Sequence, residues 1–270
     1  MKDIEKIAFD VITEAYRKAS NLTLLCSFGK DSQVLLHMLK MHDFLKRTKI
    51  LYIDSTFEFK ELYEHKDFLL KKYDISYRNF IVAKNKESIA DGLNYDNTSI
   101  FELTEKLKTI PLNQSINQHN IDFLITGIRR DEEGSRAKER YFSVRDENGR
   151  YNPIDNKPEF FPILGKNLYP LKNGGHYRVN PLLDWTEYDI WEYINEYGLK
   201  VCPLYFSKNG KRYRSLGDAP VTTPIESNAC TPEEIILELA ATKTPERASR
   251  ALQDNATPYC MEKLRQNGFC

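Results

Sequence analysis

The sequence has no surplus of either charge, since 39 lysine and arginine residues match 39 aspartate and glutamate residues among 270. Proteins that bind along a polyanion usually carry a basic excess, so we expect no nucleic-acid partner. No segment comes near the roughly 18 consecutive apolar residues that a membrane-spanning helix needs. The first six residues, MKDIEK, lack the apolar core of a secretory signal. We therefore expect a cytoplasmic protein without a membrane partner.

Cysteine is also scarce, with five residues at positions 26, 202, 230, 260 and 270. They are far apart, and no CxxC or Cys/His spacing typical of a zinc or iron–sulfur site is present. Reduced thiols are the expected state, and no protein-held metal is predicted. With 41% apolar and 29% charged residues, the composition is that of an ordinary globular protein, long enough for a substantial core.

Short apolar runs alternate with amphipathic segments in the first half of the chain, which predicts a doubly wound α/β fold with a mainly parallel sheet. The predicted strands are residues 22–26, 50–53, 77–82 and 121–125. The predicted helices are residues 3–19, 34–39, 59–73, 99–119, 186–197, 231–242 and 258–266. We expect Pro111 to divide the 99–119 helix into two pieces.

The pattern changes near residue 141, where asparagine, glycine and proline become frequent. The stretch up to residue 181 is predicted to form loops and short strands folded over the sheet. We assign residues 1–200 to one α/β domain. Residues 201–270 are predicted to be a C-terminal extension of loops and helices that packs on the same domain. Trp185 and Trp191 are expected to anchor the core.

The turn between the first strand and its helix reads Ser27-Phe28-Gly29-Lys30-Asp31-Ser32. A strand, a tight turn and a helix N-terminus together form an anion site, because free backbone N–H groups and the helix dipole converge there. Ser27 and Ser32 add hydroxyl donors, and Gly29 allows close backbone approach. An ordinary capped helix would give a similar pattern, so the hexapeptide alone leaves both interpretations open.

Residues 127–140, GIRRDEEGSRAKER, follow the fourth strand directly. Four arginines and a lysine are interleaved there with four carboxylates. Guanidinium groups are planar, bidentate donors suited to phosphate or sulfate oxygens. In parallel sheets the ligand lies at the carboxyl ends of the strands, so this motif and the 27–32 turn are expected to share one crevice.

The 27–32 turn resembles the SGGxDS loop of the PP-loop ATP pyrophosphatases. Phe28 replaces the first glycine, as in phosphoadenylyl-sulfate reductases of the same superfamily. Residues 127–140 closely resemble the G-x-RRDEE-x-SRAKER motif of the small catalytic subunit of heterodimeric ATP sulfurylase, sulfate adenylyltransferase subunit 2. The segments LYIDSTFEF at 51–59, RVNPL at 178–182 and WTEYDIW at 185–191 are similar to blocks of that family in the same order. The resemblance covers about residues 20–269.

The resemblance implies an adenine nucleotide alpha hydrolase-like fold and the transfer of the adenylyl group of ATP to sulfate, with release of pyrophosphate. It implies that the 27–32 loop and Gly127 hold the phosphates with Mg²⁺ and that Asp54 lies near the adenosine. The residues implied to act in catalysis are Arg129, Arg130, Asp131 and Arg136. We expect Arg129→Ala to abolish turnover and to leave the fold intact. A larger GTPase subunit is the implied partner.

Two other interpretations remain open. A sulfonucleotide reductase would need a reactive cysteine, and the chain ends in Phe269-Cys270 without the Glu-Cys-Gly-Leu-His context of those enzymes. We expect Cys270 to be an incidental thiol. Another adenylating or sulfur-transfer protein of the superfamily, or a non-catalytic nucleotide-binding subunit, is the third possibility. Only about eight residues separate the Pro203-Leu204-Tyr205 block from the next family block, which departs from a longer insertion common in relatives.

Overall fold

Six strands form one central sheet, and all neighbouring strands in it run parallel except the last pair. This computed structural model describes residues 2–156, 159, 168, 171, 174–242 and 244–249. The strands are Leu22–Leu25 (β1), Lys49–Ile53 (β2), Phe80–Ala83 (β3), Phe123–Ile125 (β4), Phe142–Arg145 (β5) and His176–Val179 (β6). Their order is β3-β2-β1-β4-β6-β5, which confirms the predicted doubly wound, mainly parallel α/β fold.

The helices that follow the strands were largely predicted from their apolar spacing. They are Asp3–Lys18 (α1), Lys30–Met41 (α2), Lys60–Lys72 (α3), Lys86–Ala90 (α4), Ile100–Thr104 (α5), Ile110–Gln118 (α6), Glu187–Glu196 (α7) and Pro232–Ala241 (α8). A two-stranded sheet of Lys211–Arg212 (β7) and Ile225–Glu226 (β8) lies outside the central sheet. No helix among the described residues is long and apolar enough to cross a bilayer.

Two sequence expectations differ from the structure. Residues 99–119 form two α-helices, α5 and α6, as predicted, with Pro111 in the first turn of α6, but a π-helical turn, Glu105–Thr109, joins them without a break. The missing N–H of Pro111 removes an α-helical hydrogen bond, and the wider turn accommodates that loss. The strands β5 and β6 join the edge of the central sheet and do not fold over it. These two strands contain the buried polar residues Arg145, His176 and Arg178, so their sequences lack the apolar runs that predict buried strands.

The core lies around the sheet and the helices packed against it. Leu24 in β1, Ile50 in β2 and Ile125 in β4 are fully buried. Trp185 and Trp191 are also buried in this core, as predicted. The predicted helix at residues 258–266 and the terminal Cys270 lie outside the described residues.

The strand order reverses between β1 and β4, which are hydrogen-bonded neighbours. Chains leaving the carboxyl ends of two such strands separate to opposite sides and leave a crevice between them. The 27–32 turn follows β1, and the motif that begins at Gly127 follows β4. The fold therefore brings the two segments singled out in the sequence to one edge of the sheet.

Candidate active site

The turn after β1 leads directly into helix α2, whose N-cap is Gly29. Gly29 has no side chain to cap the first turn of α2, so that turn directs N–H groups and the positive end of the helix dipole outward. The hydroxyls of Ser27 and Ser32 are 3.4 Å apart on this turn. Tyr205, which was not among the predicted site residues, accepts a hydrogen bond of 3.0 Å from the Lys30 backbone N–H.

Phe28 adopts a left-handed backbone conformation, with φ of 58°. Its ring is fully buried and meets the rings of Tyr52 and Phe80 edge-on, at centroid distances of 5.6 and 6.2 Å. A glycine would adopt this φ without a steric cost. Phenylalanine bears that cost, and the burial of its apolar ring offsets it. Phe28 therefore shapes the turn from the core side, and its ring does not face the cavity.

Gly127, directly after β4, lies against the start of α2. A Cβ at this position would stand 3.2 Å from Cβ of Asp31 and 3.4 Å from the backbone nitrogen of Ser32. Both distances are at or below ordinary van der Waals contact. The absence of a side chain at Gly127 therefore lets the second turn approach the helix N-terminus closely.

Arg129 has no exposed surface and is surrounded by four carboxylates. Its Nε donates to Oδ1 of Asp31 at 2.7 Å and its Nη1 to Oδ2 of Asp131 at 3.2 Å. Its Nη2 donates to Oε2 of Glu246, and Oε1 of Glu132 lies 3.9 Å from Nε. Burial alone would lower the pKa of Arg129, but the carboxylates of Asp31 and Glu246 outweigh it and hold the pKa well above its ordinary value.

Lys30 shares the Glu246 carboxylate with Arg129. Its Nζ is 2.5 Å from Oε1 of Glu246 and 3.2 Å from Oδ2 of Asp31, and its side chain is almost completely buried. Burial would raise the pKa of Glu246, but Lys30 and Arg129 outweigh it and hold that pKa far below its ordinary value. One carboxylate from residue 246 thus joins the turn after β1 to the turn after β4.

Arg136 and Arg247 form a second charged group. Arg136 is paired with Glu132 Oε2 at 2.8 Å and with Glu133 Oε1 at 2.7 Å. Arg247 is paired with the same two oxygen atoms, at 3.0 and 3.1 Å. Two guanidinium groups therefore lie side by side on one pair of carboxylates, and both arginines line the cavity.

Five of the predicted site residues do not line this cavity: Phe28 and Arg129, described above, together with Arg130, Asp131 and Asp54. Arg130 donates to Oδ1 of Asp184 and to the backbone oxygen of Glu139. Asp131 accepts a hydrogen bond of 2.9 Å from the Glu187 backbone N–H, at the start of α7. Asp54 follows β2, and its carboxylate accepts hydrogen bonds from Tyr63 and Lys84.

The Asp54 carboxylate is held by Tyr63 and Lys84, whose donor atoms lie 2.8 and 3.0 Å from its oxygens. Burial would raise the pKa of Asp54, but these hydrogen bonds and that of the Thr56 backbone N–H outweigh it and lower the pKa. The side chain is therefore ionised and fixed beside the carboxyl end of β2. Its proposed role near adenosine stays a prediction.

The cavity between the two turns has a volume of about 220 Å³. This is below the roughly 300 Å³ at the lower end of the range for small-molecule sites, so a nucleotide would extend beyond it and a phosphate chain matches its size better. It is lined by Leu25, Ser27, Gly29, Lys30, Asp31, Ser32, Glu58, Lys108, Thr126, Gly127, Ile128, Glu132, Arg136, Tyr205, Ser215, Leu216, Gly217, Glu246 and Arg247.

Glu58 and Lys108 line the part of the cavity nearest β2 and the π-helical turn. Burial raises the pKa of Glu58 to about 7, although the hydrogen bond of 2.5 Å from the Tyr52 hydroxyl and the charge of Lys108 act in the opposite direction. Lys108 Nζ lies 2.9 Å from Oδ2 of Asp218. The cavity thus contains a carboxyl group that titrates near neutral pH.

Several lining residues carried no predicted role. Glu58 and Tyr205 belong to segments noted only for their family resemblance, and no role was predicted for Lys108, Glu246 or Arg247. These residues lie far along the chain from the 27–32 turn, so no local spacing connects them to it. Among the described residues, no three His, Cys, Asp or Glu side chains come together as a metal site.

Comparison with known proteins identifies the relatives of this chain. The family model described as the phosphoadenosine phosphosulfate reductase domain matches residues 21–224. Proteins named sulfate adenylyltransferase subunit 2 match the whole chain. The relative from Akkermansia muciniphila is 35% identical over 300 residues, and the match covers 97% of its length. Those from Psychromonas ingrahamii and Pseudomonas aeruginosa are 33% identical over 302 residues and 32% identical over 304 residues, with 97% and 98% of their lengths covered.

Solved structures share the fold at low sequence identity. The phosphoadenylyl-sulfate (PAPS) reductase from Candida auris, in a phosphate complex, has a TM-score of 0.54 and 16% identity, over 83% of this chain and 98% of that chain. The FMN adenylyltransferase from Candida glabrata has a TM-score of 0.54 and 18% identity, over 98% of this chain and 85% of that chain. At these identities the similarity concerns the arrangement of the sheet and helices.

Proposed function

This chain belongs to the phosphoadenosine phosphosulfate reductase domain family and to the sulfate adenylyltransferase subunit 2 proteins, and we propose that it transfers the adenylyl group of ATP to sulfate. An oxygen of sulfate forms a bond to the α-phosphorus, the bond to the bridging oxygen breaks, and pyrophosphate leaves with the electron pair. The observation that carries the proposal is the cavity in which a helix N-terminus and two arginines meet at the strand-order reversal.

The 27–32 turn is proposed to hold the departing pyrophosphate. The first turn of α2 offers backbone N–H groups, and Ser27 and Ser32 offer hydroxyls, all on the lining of the cavity. A site of this kind stabilises the negative charge that develops on a leaving phosphate without moving during the reaction. Lys30 and Arg129 fix the geometry of the turn through their shared carboxylates.

Sulfate needs no general base, because its oxygens are already ionised at neutral pH. Catalysis then depends on orientation and on neutralising the charge of two anionic reactants. Arg136 is the predicted catalytic arginine that lines the cavity, and it is proposed to contact an oxyanion there. Arg129 is proposed to position Asp31 and the turn, while Arg130 and Asp131 act at the margin of the site.

A bound Mg²⁺ fits this lining as an ion carried mainly by the phosphates of ATP. Asp31 has 21% of its side chain exposed, whereas Glu132 and Glu246 are nearly buried and ion-paired. Mg²⁺ in such sites usually takes one or two carboxylates together with phosphate oxygens and water. Asp31 and the two serine hydroxyls would hold it, and its chemical contribution would be to neutralise phosphate charge.

A larger GTPase subunit is the proposed partner. Adenylyl sulfate formation is strongly uphill, so a second source of free energy is needed, and the name subunit 2 of the relatives indicates an assembly of unlike chains. ATP and sulfate are the proposed substrates. The reductase alternative gains nothing from Cys26 and Cys202, because burial raises their pKa values to about 12 and about 11.

The test is pyrophosphate release from ATP, measured with and without sulfate and with and without the GTPase partner. We expect release that depends on sulfate, and we expect Arg136→Ala to lower kcat/KM by roughly 30- to 1000-fold. Arg17→Ala, on the exposed face of α1, is the matched control and should match the unmodified enzyme. Thiol-dependent sulfite release without pyrophosphate would instead identify a reductase, and ATP binding without turnover would identify a non-catalytic subunit.

A further inference from the structure

The segment 244–247, near the far end of the described chain, contributes Glu246 and Arg247 to the cavity, and no role for it follows from sequence spacing. Arg214 anchors its backbone, since Nη1 of Arg214 donates to the Thr244 carbonyl at 2.9 Å. Arg214 is itself fixed by Oε2 of Glu187, at 2.5 Å from Nη2. The position of the segment therefore has a support that is independent of the contacts made by Glu246 and Arg247.

Glu246 accepts hydrogen bonds from two cations that are otherwise 99 positions apart in the sequence. Lys30 belongs to the turn after β1 and Arg129 to the turn after β4, and all three side chains are almost completely buried. Charges in such an environment are tolerated only when they are paired. Without the Glu246 carboxylate, both cations would lose an ion-pair partner, and no shared contact through residue 246 would connect the two turns.

Arg247 has a different environment. Two of its five N–H donors are used by Glu132 and Glu133, and its Nε is buried without a hydrogen-bond partner among the described residues. The neighbouring Arg136 uses the same two carboxylate oxygens. Arg247 therefore keeps N–H donors beyond its two carboxylate contacts, and two adjacent guanidinium groups on the wall of a cavity are suited to bind one tetrahedral oxyanion.

We propose that the segment 244–247 is part of the substrate site, in which Arg247 and Arg136 together bind a tetrahedral oxyanion group and Glu246 positions Lys30 and Arg129. This inference rests on the proposed adenylyl transfer for the identity of the anion. Sulfate and a phosphate of ATP share the chemistry that the arginine pair recognises, so the experiment has to distinguish them.

Arg247→Ala is the decisive variant, with Arg17→Ala as its control and Arg247→Lys as its conservative counterpart. We expect Arg247→Ala to lower kcat/KM by roughly 30- to 1000-fold in sulfate-dependent pyrophosphate release. Added guanidinium should restore part of the loss, and Arg247→Lys should restore little because lysine lacks the planar fork. Thermal unfolding of each variant shows that folded protein is compared with folded protein.

Two measurements identify the anion. Calorimetry gives the Kd of inorganic pyrophosphate for the full chain without turnover, and steady-state rates give the KM of sulfate. A raised KM for sulfate with an unchanged pyrophosphate Kd assigns the arginine pair to sulfate. A raised pyrophosphate Kd with an unchanged KM for sulfate assigns it to the phosphate chain. If Arg247→Ala folds and stays within about threefold of Arg17→Ala in both quantities, the assignment is wrong.

Glu246→Gln tests the positioning role, with Glu64→Gln on the exposed face of α3 as its control. We expect the pyrophosphate Kd to rise about tenfold or more while the binding stoichiometry stays near one site per chain. A merely structural role would lower the stoichiometry and leave Kd unchanged, and that result would overturn the positioning role. If Glu246→Gln does not fold, Glu246→Asp keeps the charge and should show an intermediate Kd, whereas an unaltered Kd would overturn it.

The outcomes also separate this inference from the proposed function. If the unmodified protein binds pyrophosphate but shows no sulfate-dependent release, the proposed function is wrong, and loss of pyrophosphate binding in Arg247→Ala would still support the site. If the unmodified protein is active and Arg247→Ala matches the control, the function stands and the site assignment is wrong.

Discussion

The turn after β1 contributes backbone groups and serine hydroxyls to the cavity, whereas the turn after β4 contributes charged side chains. The first is shaped by Gly29, by the left-handed Phe28 and by the start of α2. The second is shaped by ion pairs around Arg129 and Arg136. Both turns lie at the same edge of the sheet, so they differ in the interactions that shape them and not in their position.

This difference determines how far each turn can be understood from its own sequence. The backbone conformation of the 27–32 turn is set mainly by the neighbouring residues Phe28 and Gly29, although Lys30 also contacts Tyr205 and Glu246. The charged turn depends on partners elsewhere, since Arg129 is 98 positions from Asp31 and 117 from Glu246. Substitutions in the second turn should therefore disturb distant parts of the protein, and those that alter only the backbone conformation of the first should remain local.

The largest expected effect is that of Arg129→Ala on stability. Removing one partner from a buried ion-pair network leaves several carboxylates unpaired, so we expect a loss of about 3–5 kcal/mol in the free energy of unfolding. This revises the expectation, based on sequence alone, that the fold would remain intact. Urea denaturation followed by circular dichroism measures it.

Arg130→Ala is the matched control for that experiment, one residue along the same motif. The Arg130–Asp184 pair has 33% and 48% of its side chains exposed, and such pairs contribute about 0–1 kcal/mol. Equal losses of stability in the two variants would contradict the division between buried and peripheral arginines.

The secondary structure and the 27–32 turn could be predicted from the sequence better than the contacts of the charged side chains. The strand and helix pattern, the position of the 27–32 turn and the approach of the 127–140 motif all follow from local periodicity and from the rule for parallel sheets. The distribution of the arginines does not follow, because three of them are close in sequence and have three different environments. Arg129 is enclosed by carboxylates, Arg130 faces Asp184, and Arg136 faces the cavity.

The roles of Glu246 and Arg247 could not be derived from spacing either. Their partners lie in segments that only the complete fold brings near residue 246. Similarly, β5 and β6 were not recognised as sheet strands because buried ion pairs such as Arg145–Glu139 replace the usual apolar side chains. Buried polar side chains pair with residues that are distant in the sequence, and a local sequence pattern does not identify those residues.

Phe28 tests the locally built turn and gives the second largest expected effect. Phe28→Ala should cost about 3–4 kcal/mol through the loss of its buried ring. Phe28→Gly should be more stable than Phe28→Ala by roughly 0.5–1 kcal/mol, because glycine relieves the left-handed strain and this gain exceeds its entropic cost. Chemical denaturation of both variants measures the difference.

Leu35, in the interior of α2, provides the control for that order. At a helical position glycine is less favourable than alanine by about 1 kcal/mol, so Leu35→Gly should be less stable than Leu35→Ala. Finding the same order at Leu35 and Phe28 would show that the strain at Phe28 has no energetic consequence.

Gly127→Ala examines the contact between the two turns. The new methyl group would meet Asp31 and Ser32 at 3.2–3.4 Å, so the start of α2 must shift. We expect a loss of about 1–2 kcal/mol in stability and weaker binding of inorganic pyrophosphate by calorimetry. Gly134→Ala lies in the same motif, where a Cβ would meet no described atom within 4 Å, and it should change neither quantity.

The smallest expected effect is the pH dependence contributed by Glu58. Its carboxyl faces Tyr52 from β2 and is influenced by Lys108, Asp218 and Asp54, and burial raises its pKa to about 7. A raised folded-state pKa means that its contribution to stability is complete below about pH 4.5 and is lost as the pH rises through 7. Ionisation also adds a negative charge to the cavity.

Pyrophosphate binding should therefore weaken as the pH rises from 6 to 8. Repulsion of about 1 kcal/mol between the Glu58 carboxylate and a bound anion would raise Kd roughly fivefold over that range. Pyrophosphate itself titrates there, so the informative quantity is the ratio of Kd between Glu58→Gln and the unmodified chain at each pH. That ratio should be near one at pH 6 and should fall toward pH 8, because only the unmodified chain acquires the charge. A ratio independent of pH would show that ionisation of Glu58 does not affect the bound anion. The anion affinity of the cavity would then come from the 27–32 turn and from Arg136 and Arg247.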